Sequence, residues 1–321
     1  MYHWKRYLDN MQRTGMDTVV LWHDHVPAAA AEIQTYARRS GIRLIWGFNW
    51  SWNHPICLND EEDAAYWRDK VLRTIADEYA PLAPDGIYFQ IGGTEVGQGC
   101  RQNCEVCRRA REGDGVGPLV VKFTGPIIEA IHRRHPNLEI SAGMHLGGIH
   151  QSYKALAAFD PSVALMWEDL PGPGKRLEIP FAYRWVPETA PSPETLEMAR
   201  AMCTLRGARE DVAFVLKGFY ARWGGGDPML LSEAELEAKW QGCRQRWRQA
   251  AESCQALLPE ALKVLRIIAE SPARRKTVLL LVEDGLWEYR REYAALLVAE
   301  AMKDPWREAD EIIAAAKAQQ P

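Results

Sequence analysis

Apolar and polar positions along the chain fall into a repeating order. A stretch with helical spacing is followed by a short unbroken apolar run, and that run ends in polar or aromatic residues. Residues 4–14 have helical spacing and stop at Gly15; residues 18–22 (TVVLW) are β-branched and apolar and deliver His23, Asp24 and His25. A second helical stretch at 28–40 stops at Gly41, and the run 43–52 (RLIWGFNWSW) opens into Asn49, Trp50, Trp52 and His54. The same order predicts a helix over 60–79, a strand over 86–91, a helix over 119–134 and a strand over 138–145. A short helix over 152–159, strands over 163–170 and 179–185, a helix over 193–206 and a strand over 212–223 complete it.

Unbroken apolar strands separated by helices point to a parallel sheet covered on both faces. Seven such strands, nearly all followed by polar or aromatic residues, predict a (β/α)8 TIM-like barrel of the α/β class that lacks one strand. The missing first strand is expected to precede Met1. An open doubly wound sheet is the alternative, but a ring of functional loops suits a barrel better than a single crevice. Residues 1–231 are assigned to a (β/α) barrel catalytic domain and 232–321 to a C-terminal helical region. Within the latter, TVLLLVEDG (277–285) is read as the start of a buried helix rather than a strand.

Charge and cysteine usage narrow the partners. A net charge of -4 gives no global attraction to nucleic acid or to an anionic membrane. No apolar run is long enough to span a bilayer and no secretory segment follows Met1, so a cytoplasmic protein is expected, or a secreted one if the front end has been lost. Seven unevenly spread cysteines fit a reducing compartment better than a disulfide scaffold.

The densest chemistry lies in residues 86–107, GIYFQIGGTEVGQGCRQNCEVC. Glu95 follows a Gly-Gly break at a strand end, where a dry pocket can raise a carboxyl pKa enough for general-acid work. Cleaving a glycosidic bond calls for a second carboxylate, and Glu168 and Asp169 at the end of the 163–170 strand are the best partners, ahead of Asp24 and Glu188. Tryptophans at or just past strand ends, Trp50, Trp52, Trp167, Trp185 and Trp223 among them, offer stacking faces for pyranose rings. His23, His25, Asn49, His145 and Arg184 offer hydrogen bonds to hydroxyls.

Cys100, Cys104 and Cys107 have the spacing C-x3-C-x2-C, which leaves three readings open. One is a structural zinc with Cys57 or His54 from the preceding loop as fourth ligand. Another is a metal-free or disulfide-forming loop. The third is the cluster-binding signature of radical S-adenosylmethionine enzymes, although that signature normally follows the first strand of its domain and has an aromatic residue where Val106 stands. Cys203, Cys243 and Cys254 fall in helical stretches and read as buried and inert. No dinucleotide fingerprint, P-loop or nucleophile elbow is present.

A strand ending in Glu95, the closely spaced cysteines, a helix ending in His135-Pro136 and the strand LEIS together resemble the barrel of glycoside hydrolases related to the α-glucuronidases and β-N-acetylhexosaminidases. The likeness is to bacterial members with a cysteine-rich loop after the glutamate, and it covers roughly residues 4–223. It implies a carbohydrate substrate and no cofactor for catalysis. In the hexosaminidase branch an Asp-Glu pair stands at this strand end; here it is Thr94-Glu95, so the acid carries over and the acetamide-orienting aspartate does not. The α-glucuronidase branch takes acidic bases from later strands, a role that Glu168 and Asp169 match; the resemblance favours inversion, with retention as the alternative. Two other classes compete: a carbohydrate-binding barrel without catalysis, and a radical enzyme.

Overall fold

The computed structural model describes residues 2–22, 26–49, 56–90, 104–112, 117–144, 153–170, 193–209, 211–216, 232–280 and 293–319. Among the described residues, seven strands form one sheet in sequential order, every neighbouring pair parallel: β1 (Thr18–Trp22), β2 (Arg43–Asn49), β3 (Gly86–Gln90), β4 (Glu139–Met144), β5 (Ala164–Leu170), β6 (Asp211–Leu216) and β7 (Arg275–Leu280). Residues of β1 and β7 line one shared cavity with residues of β2, β4, β5 and β6, so the sheet curls into a nearly closed barrel. The helices in chain order are α1 (Tyr2–Thr14), α2 (Ala30–Arg39), α3 (Glu61–Thr74), α4 (Glu105–Glu112), α5 (Gly117–Arg134), α6 (Pro193–Thr204), α7 (Glu233–Glu270), α8 (Tyr293–Lys303) and α9 (Ala309–Ala318). No helix among the described residues is long and apolar enough to cross a membrane.

Local rules set the first two units. α1 ends at Gly15, whose φ of 76° lets Met16 N–H reach Met11 O at 2.9 Å and Gly15 N–H reach Gln12 O at 3.1 Å. α2 ends the same way at Gly41, with Ile42 N–H on Ala37 O at 2.9 Å. A left-handed residue just past the helix satisfies the last carbonyls and turns the chain back at once, so each glycine hands the chain directly to the next strand.

Alternation along the strands divides the core into two layers. Ile45, Tyr88, Met166, Ala213 and Val215 are buried inside the barrel, with Val20 and Leu279 packed against them. The intervening residues, among them Leu44, Trp46, Ile87, Phe89, Leu165, Trp167 and Phe214, pack outward in the large core shared with the helices. Tyr88 is the bulkiest of the described inner-layer residues, and its neighbours make room for it. Gly47 stands opposite it on β2, and Gly143 flanks its hydroxyl on β4.

The N-terminal end of the barrel is closed by charge. Arg43, Glu139, Asp211 and Arg275 are the first residues of β2, β4, β6 and β7. Glu139 accepts from Arg43 Nη2 at 2.7 Å and pairs with Arg275 Nη2 at 2.8 Å, and Arg275 also lies 3.1 Å from Asp211 Oδ2. Arg274 Nε and Nη2 donate to the two oxygens of Asp211 at 2.7 and 2.8 Å. In a barrel of this kind the N-terminal end serves stability, and chemistry gathers at the other end.

Two sequence expectations change here. The run 277–285 was expected to start a helix, but residues 275–280 form β7, paired with β6 over all six positions. An unbroken apolar run reads the same in either state, and the open edge of β6 decides it. The sheet therefore takes a strand from beyond residue 231, where the barrel was expected to end. The expected strand at 179–185 lies outside the described residues.

Candidate functional site

The loops that follow β2 and β3 bring three cysteines together. Ile56, Cys57 and Leu58 are buried ahead of α3. Asp60 caps that helix, its carboxylate accepting from the N–H groups of Glu62 and Asp63 at 2.8 and 3.2 Å. The next acid, Asp63, is itself buried and accepts the N–H of Cys57 at 2.9 Å, so the first turn of α3 fixes the backbone of Cys57. The Asp60 N–H on Cys57 O, at 3.1 Å, completes the turn.

Cys104 caps α4. Its carbonyl accepts from Arg108 N–H at 3.1 Å, and its sulfur accepts the N–H of Cys107 at 3.4 Å, the hydrogen bond an oxygen side chain makes at an ordinary helix start. Cys104 Sγ lies 3.5 Å from Cys57 Sγ, and the sulfurs of Cys57, Cys104 and Cys107 all lie within 4.8 Å of one another. Cys57 is 1% and Cys107 3% exposed, so two of the three sulfurs are held away from solvent. None of the three is in a disulfide. On the exposed face of α4, Glu105 accepts from Arg108 and Arg109, which holds its carboxyl below the usual carboxylate range.

The carboxylate pair sits at the end of β5. Trp167 pairs with Phe214 and Leu170 with Leu216, so three steps on β5 face two on β6 and the extra residue falls at Glu168-Asp169. Such bulges recur beside active sites, where they redirect a strand end. Asn49 ends β2, in register with Gln90 at the end of β3. Glu95, Cys100, His23, His25, Trp50, Trp52, His54, His145, Arg184, Trp185 and Trp223 lie outside the described residues.

Trp167 is not at the mouth. It is fully buried, 5.8 Å from the Phe214 ring centre to centre, in the layer between sheet and helices. The expectation that it stacks on a sugar is corrected accordingly: its ring belongs to the outer core. Of the helical cysteines, Cys203 and Cys254 are buried as expected, and burial pushes the Cys254 thiol up to about 12, which leaves it unreactive. Sequence reasoning missed Asp63 as the acid that positions Cys57. Its signal was the N-cap pattern Asp60-Glu61-Glu62-Asp63, three residues past the cysteine.

No protein-family model matches the chain, and no curated protein matches it. Among solved structures, a GH138 enzyme targeting pectin rhamnogalacturonan II is similar over 96% of this chain, with 12% sequence identity and a TM-score of 0.49. The match covers 35% of that enzyme, so the chain spans about a third of its length.

Proposed function

We propose that the chain is a glycoside hydrolase, with Glu95 as general acid and Glu168 or Asp169 as base or nucleophile. The observation that carries the reading is the bulge at Glu168-Asp169, an irregularity in the sheet at the C-terminal end of a barrel strand, where barrel enzymes hold their catalytic groups. His23, His25, Asn49, Trp50, Trp52, His145, Arg184, Trp185 and Trp223 supply the substrate contacts in this reading. Catalysis needs no cofactor, because two carboxylates suffice to protonate the leaving oxygen and to activate water or attack the sugar.

The test is sugar release from a broad panel of aryl glycosides and oligosaccharides by wild type, Glu95→Gln, Glu168→Gln and Asp169→Asn. Loss of an acid or base is expected to slow turnover by about 10²–10⁴-fold with thermal unfolding unchanged. Full activity in all three variants, or no release by wild type from any member of the panel, overturns the proposal.

A further inference from the structure

We propose that Cys57, Cys104 and Cys107 hold a single zinc ion that staples the loop after β2 to the start of α4. The inference does not depend on the glycosidase reading.

The geometry argues for one shared ion. Zinc–thiolate bonds of about 2.3 Å at tetrahedral angles put neighbouring sulfurs roughly 3.8 Å apart. Cys57 and Cys104 sulfurs are 3.5 Å apart and the whole trio lies within 4.8 Å, a range that contains this value. A disulfide would join two of the three and leave the third beside it. A multi-iron cluster places its own iron and sulfide atoms between the thiolates and requires them farther apart than one ion does. An all-sulfur donor set selects a soft or borderline metal over magnesium or calcium.

The surroundings are arranged for bound thiolates. Cys104 occupies the N-cap of α4, where the positive end of the helix dipole faces its sulfur, and the N–H of Cys107 is already donated to that sulfur. Cys57 is held from its backbone by Asp63, whose carboxylate accepts the Cys57 N–H. The trio thus has its backbone supports in place, the outer-shell condition that a metal site needs. The ligands come from segments 47 residues apart in sequence, so the ion would add a cross-link between two barrel units that also meet through the β2–β3 pairing and the packing of α3 on α5.

The test is elemental analysis of the full chain purified without chelator, followed by exchange of the bound metal for cobalt(II). The expected result is about one zinc per chain and, after exchange, intense sulfur-to-cobalt charge-transfer absorption. Cys57→Ser and Cys107→Ser are expected to lower metal retention by at least about tenfold, and Cys254→Ala to leave it unchanged. Should the serine variants fail to fold, differential alkylation of wild type decides. Cys57, Cys104 and Cys107 must become reactive only after chelation. A metal-free wild type that takes up cobalt without thiolate absorption overturns the proposal, as do iron with acid-labile sulfide, a Cys57–Cys104 disulfide, or full zinc content in Cys57→Ser.

Discussion

The hydroxyl of Tyr88 lies 2.5 Å from the point where a Cβ on Gly143 would stand. The same Cβ would come within 2.5 Å of the Met166 carbonyl oxygen, so β4 carries glycine there because a ring from β3 and the backbone of β5 already fill the space.

Gly143→Ala is therefore expected to cost about 3 kcal/mol, the upper part of the range for overpacking a core. Tyr88→Phe in the same chain should recover part of the loss, because it removes the hydroxyl clash and leaves the carbonyl clash. Chemical denaturation of the two single variants and the double variant measures this. Full recovery would mean that the Met166 carbonyl yields freely.

Asp211→Asn removes the acid that Arg274 and Arg275 share at the floor of the barrel, and Glu139→Gln removes the one between Arg43 and Arg275. Each is expected to cost about 1–3 kcal/mol, the scale of a charge-assisted hydrogen bond whose partner is left behind. Urea midpoints at neutral pH supply the measurement. An unchanged midpoint in both variants would make the network an incidental surface arrangement.

The pH dependence follows from the same acid. Burial pushes the Asp211 carboxyl up, but the Arg274 hydrogen bond and the charges of Arg275, Arg274 and Arg206 outweigh burial and hold it below the usual carboxylate range. A carboxyl depressed in the folded state stabilises fully above its unfolded pKa, near 3.9, and that stabilisation fades as pH falls through the folded value. Wild type should lose stability below about pH 4, and Asp211→Asn should lose less over the same interval. Parallel curves for the two proteins would remove Asp211 from the account.

Trp167→Ala is expected to destabilise by about 3–5 kcal/mol, as truncation of a large core aromatic does. Trp167→Phe, which keeps most of the packing against Phe214, should cost less and, under the proposed glycosidase reading, leave carbohydrate affinity unchanged. A variant that melts like wild type but binds glycan more weakly would return Trp167 to the mouth of the barrel.

The contrast between Trp167 and Cys57 shows what the sequence could and could not reveal. β1 to β5 and the β6 core were legible because each is an apolar run bounded by turn residues, and the Gly15 and Gly41 stops sat where left-handed helix ends need glycine. The direction of Trp167 was not legible. In VALMW both faces of the strand are apolar, so period-2 reading cannot tell the face toward the helices from the face toward the barrel axis. β7 was missed for a related reason, since its identity rests on its partner β6. The Cys104–Cys107 spacing was readable as part of a ligand set, and Cys57 was readable as a further candidate because consecutive strands of a parallel barrel, here β2 and β3, are neighbours. The floor went unseen because Arg43, Glu139, Asp211 and Arg275 look like ordinary charges preceding strands, and only closure of the sheet brings them together.

That floor also acts as a check on alignment. Were β4 to slip by one residue toward the C-terminal end of the barrel, Glu139 would turn into the apolar layer beneath the helices; a slip of two in that direction would lift it among Ile45, Met166 and Ala213. Either error strands a charge in hydrocarbon, whereas the correct pairing meets Arg43 and Arg275. Because the complementary charges sit on β2, β4, β6 and β7, a misthreaded strand anywhere between β2 and β7 disturbs the set. The ionic end of the barrel therefore selects one threading of the chain over its near neighbours.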